Sequence, residues 1–218
     1  MVAQPKEPRA QLTRERIVSA ALALVDREGL SALSMRRLGS ELGVDPMAVY
    51  YYVPNKDALL DAIVEAVMAE IDLTIDDPSA TPEDRIMCAA IAYRDVMLAH
   101  ANALPIVLSR GPRTPDAMRP VELLIGILRD AGLPTTRAMA GMNAIAATVR
   151  GTVAMIAEDG GNPPTQAELD AMALAFPAEE FPHLREAAAC GPDFLGADFE
   201  FGIRALARGL VGSVDETR

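Results

Sequence analysis

The sequence has few of the residue types on which many enzymes and secreted proteins depend. Its 218 residues include two cysteines, two histidines and no tryptophan, and aromatic residues make up 4%. Cys88 and Cys190 are too far apart in the sequence to form a local metal-ligand pair, which favours two buried thiols in a reducing compartment. The two histidines are also widely separated, so the sequence gives no support for a histidine-dependent catalytic triad.

Several sequence signatures are absent as well. There is no phosphate-binding loop, no glycine-rich dinucleotide turn, no nucleophile elbow and no HExxH zinc motif, so we expect neither an enzyme nor a cofactor. The N-terminus is polar and contains proline, unlike a secretory signal. No apolar run approaches the roughly 20 residues of a membrane span. We therefore expect a cytoplasmic protein that has no membrane partner.

The charge is distributed unevenly along the chain. The net charge is −11 at pH 7, yet residues 1–60 carry eight basic and seven acidic side chains. The remaining residues carry twelve basic and twenty-four acidic side chains. Because the acidic excess is confined to the C-terminal part, the N-terminal part is compatible with binding to a nucleic acid.

Residues 13–60 have the pattern of a helix-turn-helix. Three short segments with helical apolar periodicity are separated by breaks at Gly29 and Gly43. The third segment begins at Asp45 and Pro46, which are an N-cap residue and a first-turn proline. It is less than two turns long and needs neighbouring helices to hold it. This arrangement is typical of a recognition helix.

The rest of the chain is predicted to be helical too. Cap residues and breaks favour helices over 82–101, 115–131, 136–158 and 198–214, and no alternating pattern is long enough for a strand. The predicted fold is all-α and has four parts. These are a flexible N-terminus over 1–12, a three-helix helix-turn-helix DNA-binding domain over 13–60, a linking helix over 55–72, and a C-terminal helical ligand-binding and dimerisation domain over 73–218.

Residues 43–63, GVDPMAVYYYVPNKDALLDAI, resemble the recognition helix and the following helix of the TetR family of bacterial repressors. Residues 98–118, LAHANALPIVLSRGPRTPDAM, are similar to the tetracycline-repressor subgroup of that family. The resemblance implies a homodimeric transcriptional repressor that binds a palindromic operator in double-stranded DNA. It also implies release from the operator by a small-molecule effector bound in the C-terminal domain.

The candidate DNA-binding residues lie at the start of the second helix, on the third helix and at the start of the fourth. By resemblance, Arg36 reads a base, preferentially guanine, while Tyr50, Tyr52 and Lys56 hold the phosphate backbone. One of the three tyrosines is expected instead to pack in the small three-helix core. The nonpolar Pro46 and Met47 favour contact with thymine methyl groups. The full set is Arg36, Arg37, Asp45, Pro46, Met47, Tyr50, Tyr51, Tyr52 and Lys56.

The candidate ligand-binding residues lie in the C-terminal domain. In the tetracycline repressors a histidine ligates the drug-bound magnesium, and this chain has Val107 at that position, so no metal is expected. The resemblance and the composition favour an apolar or aromatic effector, with Arg110 or His100 supplying one polar contact. The full set is Tyr93, Met97, His100, Val107, Arg110, Leu124, Met142 and Ile145.

Two helices have unusual composition. Residues 138–157 are apolar nearly all round and rich in alanine and glycine, and residues 198–214 carry an apolar stripe. Both helices would serve a monomer as ordinary core, but the resemblance implies that they pair with a second subunit in a four-helix bundle. Two functional alternatives remain open. One is a ligand-binding or scaffold dimer that does not recognise an operator, and the other is a DNA-binding repressor without an inducer.

Overall fold

The computed structural model describes residues 11–158, 164–191 and 194–213. Within these ranges the regular structure consists of eleven α-helices and two single 3₁₀ turns, and it contains no strand. The all-α prediction is therefore confirmed. The helices are α1 Arg14–Glu28, α2 Met35–Leu42, α3 Pro46–Tyr52, α4 Lys56–Ala69, α5 Pro82–Ala99, α6 Leu104–Ser109, α7 Pro115–Asp130, α8 Thr135–Glu158, α9 Gln166–Ala175, α10 Pro182–Ala188 and α11 Phe194–Gly212.

Side-chain caps set the starts of the first four helices. Thr13, Ser34 and Asn55 each accept a hydrogen bond from the backbone N–H three residues later, and Asp45 accepts one from the N–H of Met47. Each bond satisfies a backbone donor that has no partner inside its helix. Gly43 ends α2 with a left-handed φ of 66°, which lets the chain turn directly into α3.

The contact between α2 and α3 depends on a glycine. A Cβ atom at Gly39 would lie 3.1 Å from the carbonyl oxygen of Val44 and 3.2 Å from Cα of Pro46. The short α3 buries Val49 on the same side, and Val53 directly after the helix is buried too. Packing against α2 therefore holds a helix that is too short to be stable alone.

One hydrophobic core continues from the N-terminal helices into the C-terminal helices. Leu59, Ile63 and Val67 are fully buried along one face of α4, as their spacing of four residues dictates. This helix packs against α1 on one side and against α7 on the other. The buried cluster extends from Ile17 in α1 to Ala207 in α11. A movement of α4 therefore displaces packed side chains at both ends of the molecule.

Helix α7 continues through Pro120 to Asp130, because a proline removes only one hydrogen bond of the helix ladder. One element differs from the prediction. The last helix begins at Phe194 rather than near Asp198. Residues 1–10 of the predicted flexible N-terminus, the glycine pair at 160–161 and the predicted end of the last helix at Val214 lie outside the described residues.

The prediction of two buried thiols is wrong for Cys190. Its side chain is exposed, whereas Cys88 is half-buried in α5. Cys190 directly follows α10, a short helix in which only Ala188 is buried. This segment therefore has no core to receive another apolar side chain.

Helix α8 corrects the expectation that no apolar run approaches the length of a membrane span. Residues 135–157 are long and apolar enough by length and composition alone, with a mean hydropathy of 1.2. The prediction missed this because many apolar residues of α8 are alanines, and polar residues such as Asn143, Thr148 and Arg150 interrupt them. One side of α8 packs against α5, α7 and α11, as in a helix of a soluble bundle.

His100 joins the N-terminal and C-terminal parts. Its Nδ1 lies 2.8 Å from Oδ2 of Asp26 in α1, and its Nε2 lies 2.8 Å from Oε2 of Glu70 at the end of α4. Burial of the ring lowers the pKa of His100, but the two carboxylates together raise it by more. The protonated ring, which donates both hydrogen bonds, is the form that this site favours.

We expect the stability of the protein to depend on the charge of His100. Because its pKa is raised from 6.5 in the folded protein, the protonated ring stabilises the fold at low pH, and this stabilisation is lost as the pH rises through the raised pKa. The free energy of unfolding in urea should therefore fall as the pH rises above 6.5 and through the raised pKa. His100→Gln should reduce this fall, and His183→Gln in α10 is the matched control. An unchanged pH dependence in His100→Gln would contradict the prediction.

Candidate DNA-binding surface and ligand cavity

Helix α3 exposes an unusual set of large side chains. Met47 is 72% exposed and Tyr51 is 85% exposed, and Tyr50 and Tyr52 are also on the surface. The rings of Tyr51 and Tyr52 meet edge to face, with centroids 5.2 Å apart. The expectation that one tyrosine packs in the three-helix core is wrong. Val49 and Val53 occupy the inward positions, since residues four apart share one helix face.

The basic residues near α3 differ in how they are held. Arg36 is exposed, and its guanidinium makes no hydrogen bond or ion pair with another residue in the described ranges. The neighbouring Arg37 donates to a carboxylate oxygen of Glu28 at 3.0 Å. Lys56 donates from Nζ to the backbone carbonyl of Leu33 at 2.8 Å. This bond fixes the start of α4 beside the start of α2, and the amino group retains further N–H donors.

The predicted DNA-binding residues therefore share one region but have unequal freedom. The carboxylate of Asp45 is used in capping α3, and Pro46 is half-buried against α2. Arg36, Met47 and the tyrosines remain exposed beside them. The set forms a surface of aromatic, apolar and basic side chains along α3 and at the starts of α2 and α4.

The C-terminal part encloses a cavity of about 410 Å³, which falls within the range of small-molecule sites. Six of the eight predicted ligand-binding residues line it. They are Tyr93, Val107, Arg110, Leu124, Met142 and Ile145. Other apolar walls come from α4, α7 and α8, including the methionines Met68, Met118 and Met139. Flexible thioether side chains allow such walls to adapt to the shape of an occupant.

Met97 and His100 do not line this cavity. Met97 is 1% exposed and belongs to the hydrophobic core, while His100 is bound to Asp26 and Glu70. Met97 comes four residues after Tyr93 on α5, but it lies deeper in the bundle. His100 follows the last residue of α5, so the helix period does not direct it toward the cavity. The expected polar contact from His100 to a ligand is therefore wrong.

Arg110 lies at the cavity wall, and its guanidinium is also paired with α4. It donates to Oδ1 of Asp57 at 2.6 Å and to Oδ1 of Asp61 at 2.8 Å. The following residues are tied to the same helix: Glu65 accepts hydrogen bonds from the backbone N–H groups of Arg113 and Thr114. Three carboxylates spaced four residues apart on α4 thus hold the segment 110–114.

Sequence reasoning missed the polar residues that α8 adds to the cavity, Asn143 and Arg150. The available signal was the helix period, since Met142, Ala146 and Arg150 are four residues apart and share one face. Burial raises the pKa of the Tyr93 hydroxyl, and the positive charge of Arg150 acts in the opposite direction. These two side chains are therefore electrostatic neighbours across the cavity. In the described ranges, no group of three His, Cys, Asp or Glu side chains could hold a metal ion.

Comparisons with known proteins match both parts of the chain. Residues 17–63 match the model for bacterial regulatory proteins of the tetR family, and residues 76–213 match the model for the tetracyclin repressor-like C-terminal domain. The tetracycline repressor protein class C of Escherichia coli is 30% identical over 208 residues, which covers 92% of this chain and 91% of that protein. An HTH-type transcriptional regulator of Saccharopolyspora erythraea is 33% identical over 142 residues, 65% of this chain but only 60% of that protein.

Solved structures give the same result. Apo ActR from Streptomyces coelicolor superposes with a TM-score of 0.82 at 29% identity, covering 96% of this chain and 99% of that one. ActR in complex with actinorhodin superposes with a TM-score of 0.81 at 30% identity, covering 94% and 99%. The relatives are named as regulators or repressors of transcription. This chain belongs to the TetR family of bacterial transcriptional regulators.

Proposed function

We propose that the protein is a homodimeric, cytoplasmic transcriptional repressor that leaves its palindromic operator when a small molecule binds in the C-terminal cavity. The observation that carries this proposal is the connection between the two sites. One wall of the cavity, at Arg110, is bonded to α4, and α4 leads directly into the exposed α3. ActR, a structural relative, has been solved with actinorhodin bound, which supports a small-molecule effector.

The exposed residues around α3 favour DNA over a protein scaffold partner. Arg36 has the unoccupied N–H donors that bidentate contact with guanine requires. The tyrosine hydroxyls and the remaining donors of Lys56 are suited to phosphate oxygens, and Met47 is suited to a thymine methyl group. In this proposal the hydrogen bond from Lys56 to Leu33 holds the helix-turn-helix at a fixed angle to α4.

Ligand binding would act through the segment 108–114. Leu108, Ser109 and Arg110 line the cavity, so an occupant that displaces them also pulls on Asp57 and Asp61. Helix α4 would then shift with its packed core, and the separation of the two recognition helices would change. Since the grooves of the operator are separated by about one helical turn, a dimer with another separation binds less tightly.

The dimer surface is proposed on α8 and α11. Ala140, Ala144, Ala147 and Gly151 are exposed along one face of α8, and none of them lines the cavity. On α11, Phe201 is 75% exposed and is followed at helical spacing by Ala205 and Gly209, which are also exposed. Two apolar stripes with small residues allow the close helix approach of a four-helix bundle.

The DNA-binding part is tested by substitution after an operator is selected from random duplexes. Arg36→Ala should weaken binding to the selected operator by about 1–3 kcal/mol and relax the preference at one base pair in each half-site. Lys56→Ala should weaken binding to all duplexes alike. It should also reduce the magnitude of the slope of log K against log salt concentration by about one. Arg119→Ala, which removes the same charge from α7, is the control. Operator binding at wild-type strength in both Arg36→Ala and Lys56→Ala would contradict the proposed DNA-binding surface.

The assembly is tested by matched substitutions of exposed alanines. Ala147→Arg should convert the dimer to a monomer, because the interface would bury an unpaired charge. Ala187→Arg, on the surface of α10, should leave the dimer intact. Molar masses from light scattering at micromolar concentration distinguish the two outcomes. A wild-type monomer, or an Ala147→Arg variant that stays dimeric, would exclude this face as the interface.

A further inference from the structure

The charged groups around the cavity are not equivalent. Asp72, Arg110 and Arg150 all line it. The carboxylate of Asp72 already accepts hydrogen bonds from the N–H and the hydroxyl of Thr74 at 2.8 and 2.7 Å. Arg110 is neutralised by the two aspartates of α4. Within the described residues, Arg150 is therefore the cationic side chain of the cavity that lacks an opposite charge.

The hydrogen bonds of Arg150 leave most of its donors unused. Its Nε donates to the carbonyl of Ala146, one turn earlier in α8, at 3.1 Å. The terminal amino groups of the guanidinium have no acceptor in the part of the chain that the structure describes. The side chain is half-buried beside apolar walls, where an uncompensated cation is costly. An anionic partner in the cavity would offset that cost.

Two neutral polar groups also line the cavity, Tyr93 and Asn143. The hydroxyl of Tyr93 makes no hydrogen bond to another described residue, although most of the ring is buried, and the amide of Asn143 is likewise unused. A carboxylate presents four acceptor positions, which suits a guanidinium edge together with a phenolic O–H. The remainder of the cavity offers chiefly methionine, leucine, isoleucine and valine side chains.

We propose that the cavity recognises an aromatic or apolar molecule that carries one acidic group, and that this group pairs with Arg150 and the hydroxyl of Tyr93. This inference rests on the proposed ligand-binding function and adds the chemical class of the ligand. It replaces Arg110 as the source of the polar contact, because Arg110 is committed to α4. An acidic end held by α8 would direct the apolar body of the molecule toward Val107 and the segment 108–112.

A matched pair of fluorescent probes tests the proposal. 8-Anilinonaphthalene-1-sulfonate and N-phenyl-1-naphthylamine share one aromatic skeleton, and only the first carries an anionic group. The wild-type protein should bind the anionic probe at least about tenfold more tightly than the neutral one, as a charge-assisted hydrogen bond requires. Arg150→Gln should abolish this preference and leave the affinity for the neutral probe within about twofold, and Arg150→Lys should keep part of the preference.

Two control variants separate the possible outcomes, with circular dichroism to verify folding. Arg119→Gln removes an exposed charge that does not line the cavity and should leave both affinities unchanged. Ala146→Phe fills the cavity from α8 and should weaken both probes. If Ala146→Phe weakens both probes but Arg150→Gln keeps the anionic preference, the inference about the acidic group is overturned and the proposed function stands. If Ala146→Phe affects neither probe, the cavity is not the binding site and both proposals fail.

Discussion

The structure depends on α4 belonging to two parts of the molecule at once. Its apolar face, with Leu59, Ile63 and Val67, completes the cores on both sides. Its acidic face holds the cavity wall through Asp57, Asp61 and Glu65. A well-packed core resists gradual deformation, so α4 transmits a displacement as a unit. The short α3 ends only a few residues before α4 begins and is positioned by the same packing.

In the proposed function, helix α8 serves two roles on different faces. One face, at Met142, Ala146 and Arg150, lines the cavity, and another face exposes small residues such as Ala147 and Gly151. The proposed ligand surface and the proposed helix–helix contact together explain why this helix is apolar nearly all round. A ligand surface requires side chains that adapt, whereas a close helix–helix contact requires side chains that are short. In the proposed dimer, an occupant of the cavity would contact a helix that also forms the subunit interface.

Local features of the fold could be predicted from the sequence, and contacts between distant segments could not. The caps at Thr13, Ser34 and Asn55 were readable because each involves a bond to a residue three positions away. The bond from Lys56 to Leu33, the pairing of His100 with Asp26 and the ion pairs of Arg110 join residues that are brought together only by tertiary packing. Consequently, the identity of six cavity residues was predictable from helix faces and resemblance, but the role of Arg110 was not. Arg150 is the opposite case. Its position on the same helix face as Met142 could be predicted from the repeated spacing of four residues, but the prediction did not include it.

The central claim is that the cavity and the DNA-binding surface are energetically coupled. The most direct measurement is the affinity of 8-anilinonaphthalene-1-sulfonate for the wild-type protein alone and for the same protein saturated with its selected operator, with Ala146→Phe defining the signal that does not come from the cavity. Because coupling between two sites is reciprocal, operator binding should weaken probe binding by a factor of roughly 5 to 150, and the probe should weaken operator binding by the same factor. Equal probe affinities in the presence and absence of the operator would contradict a ligand-responsive repressor.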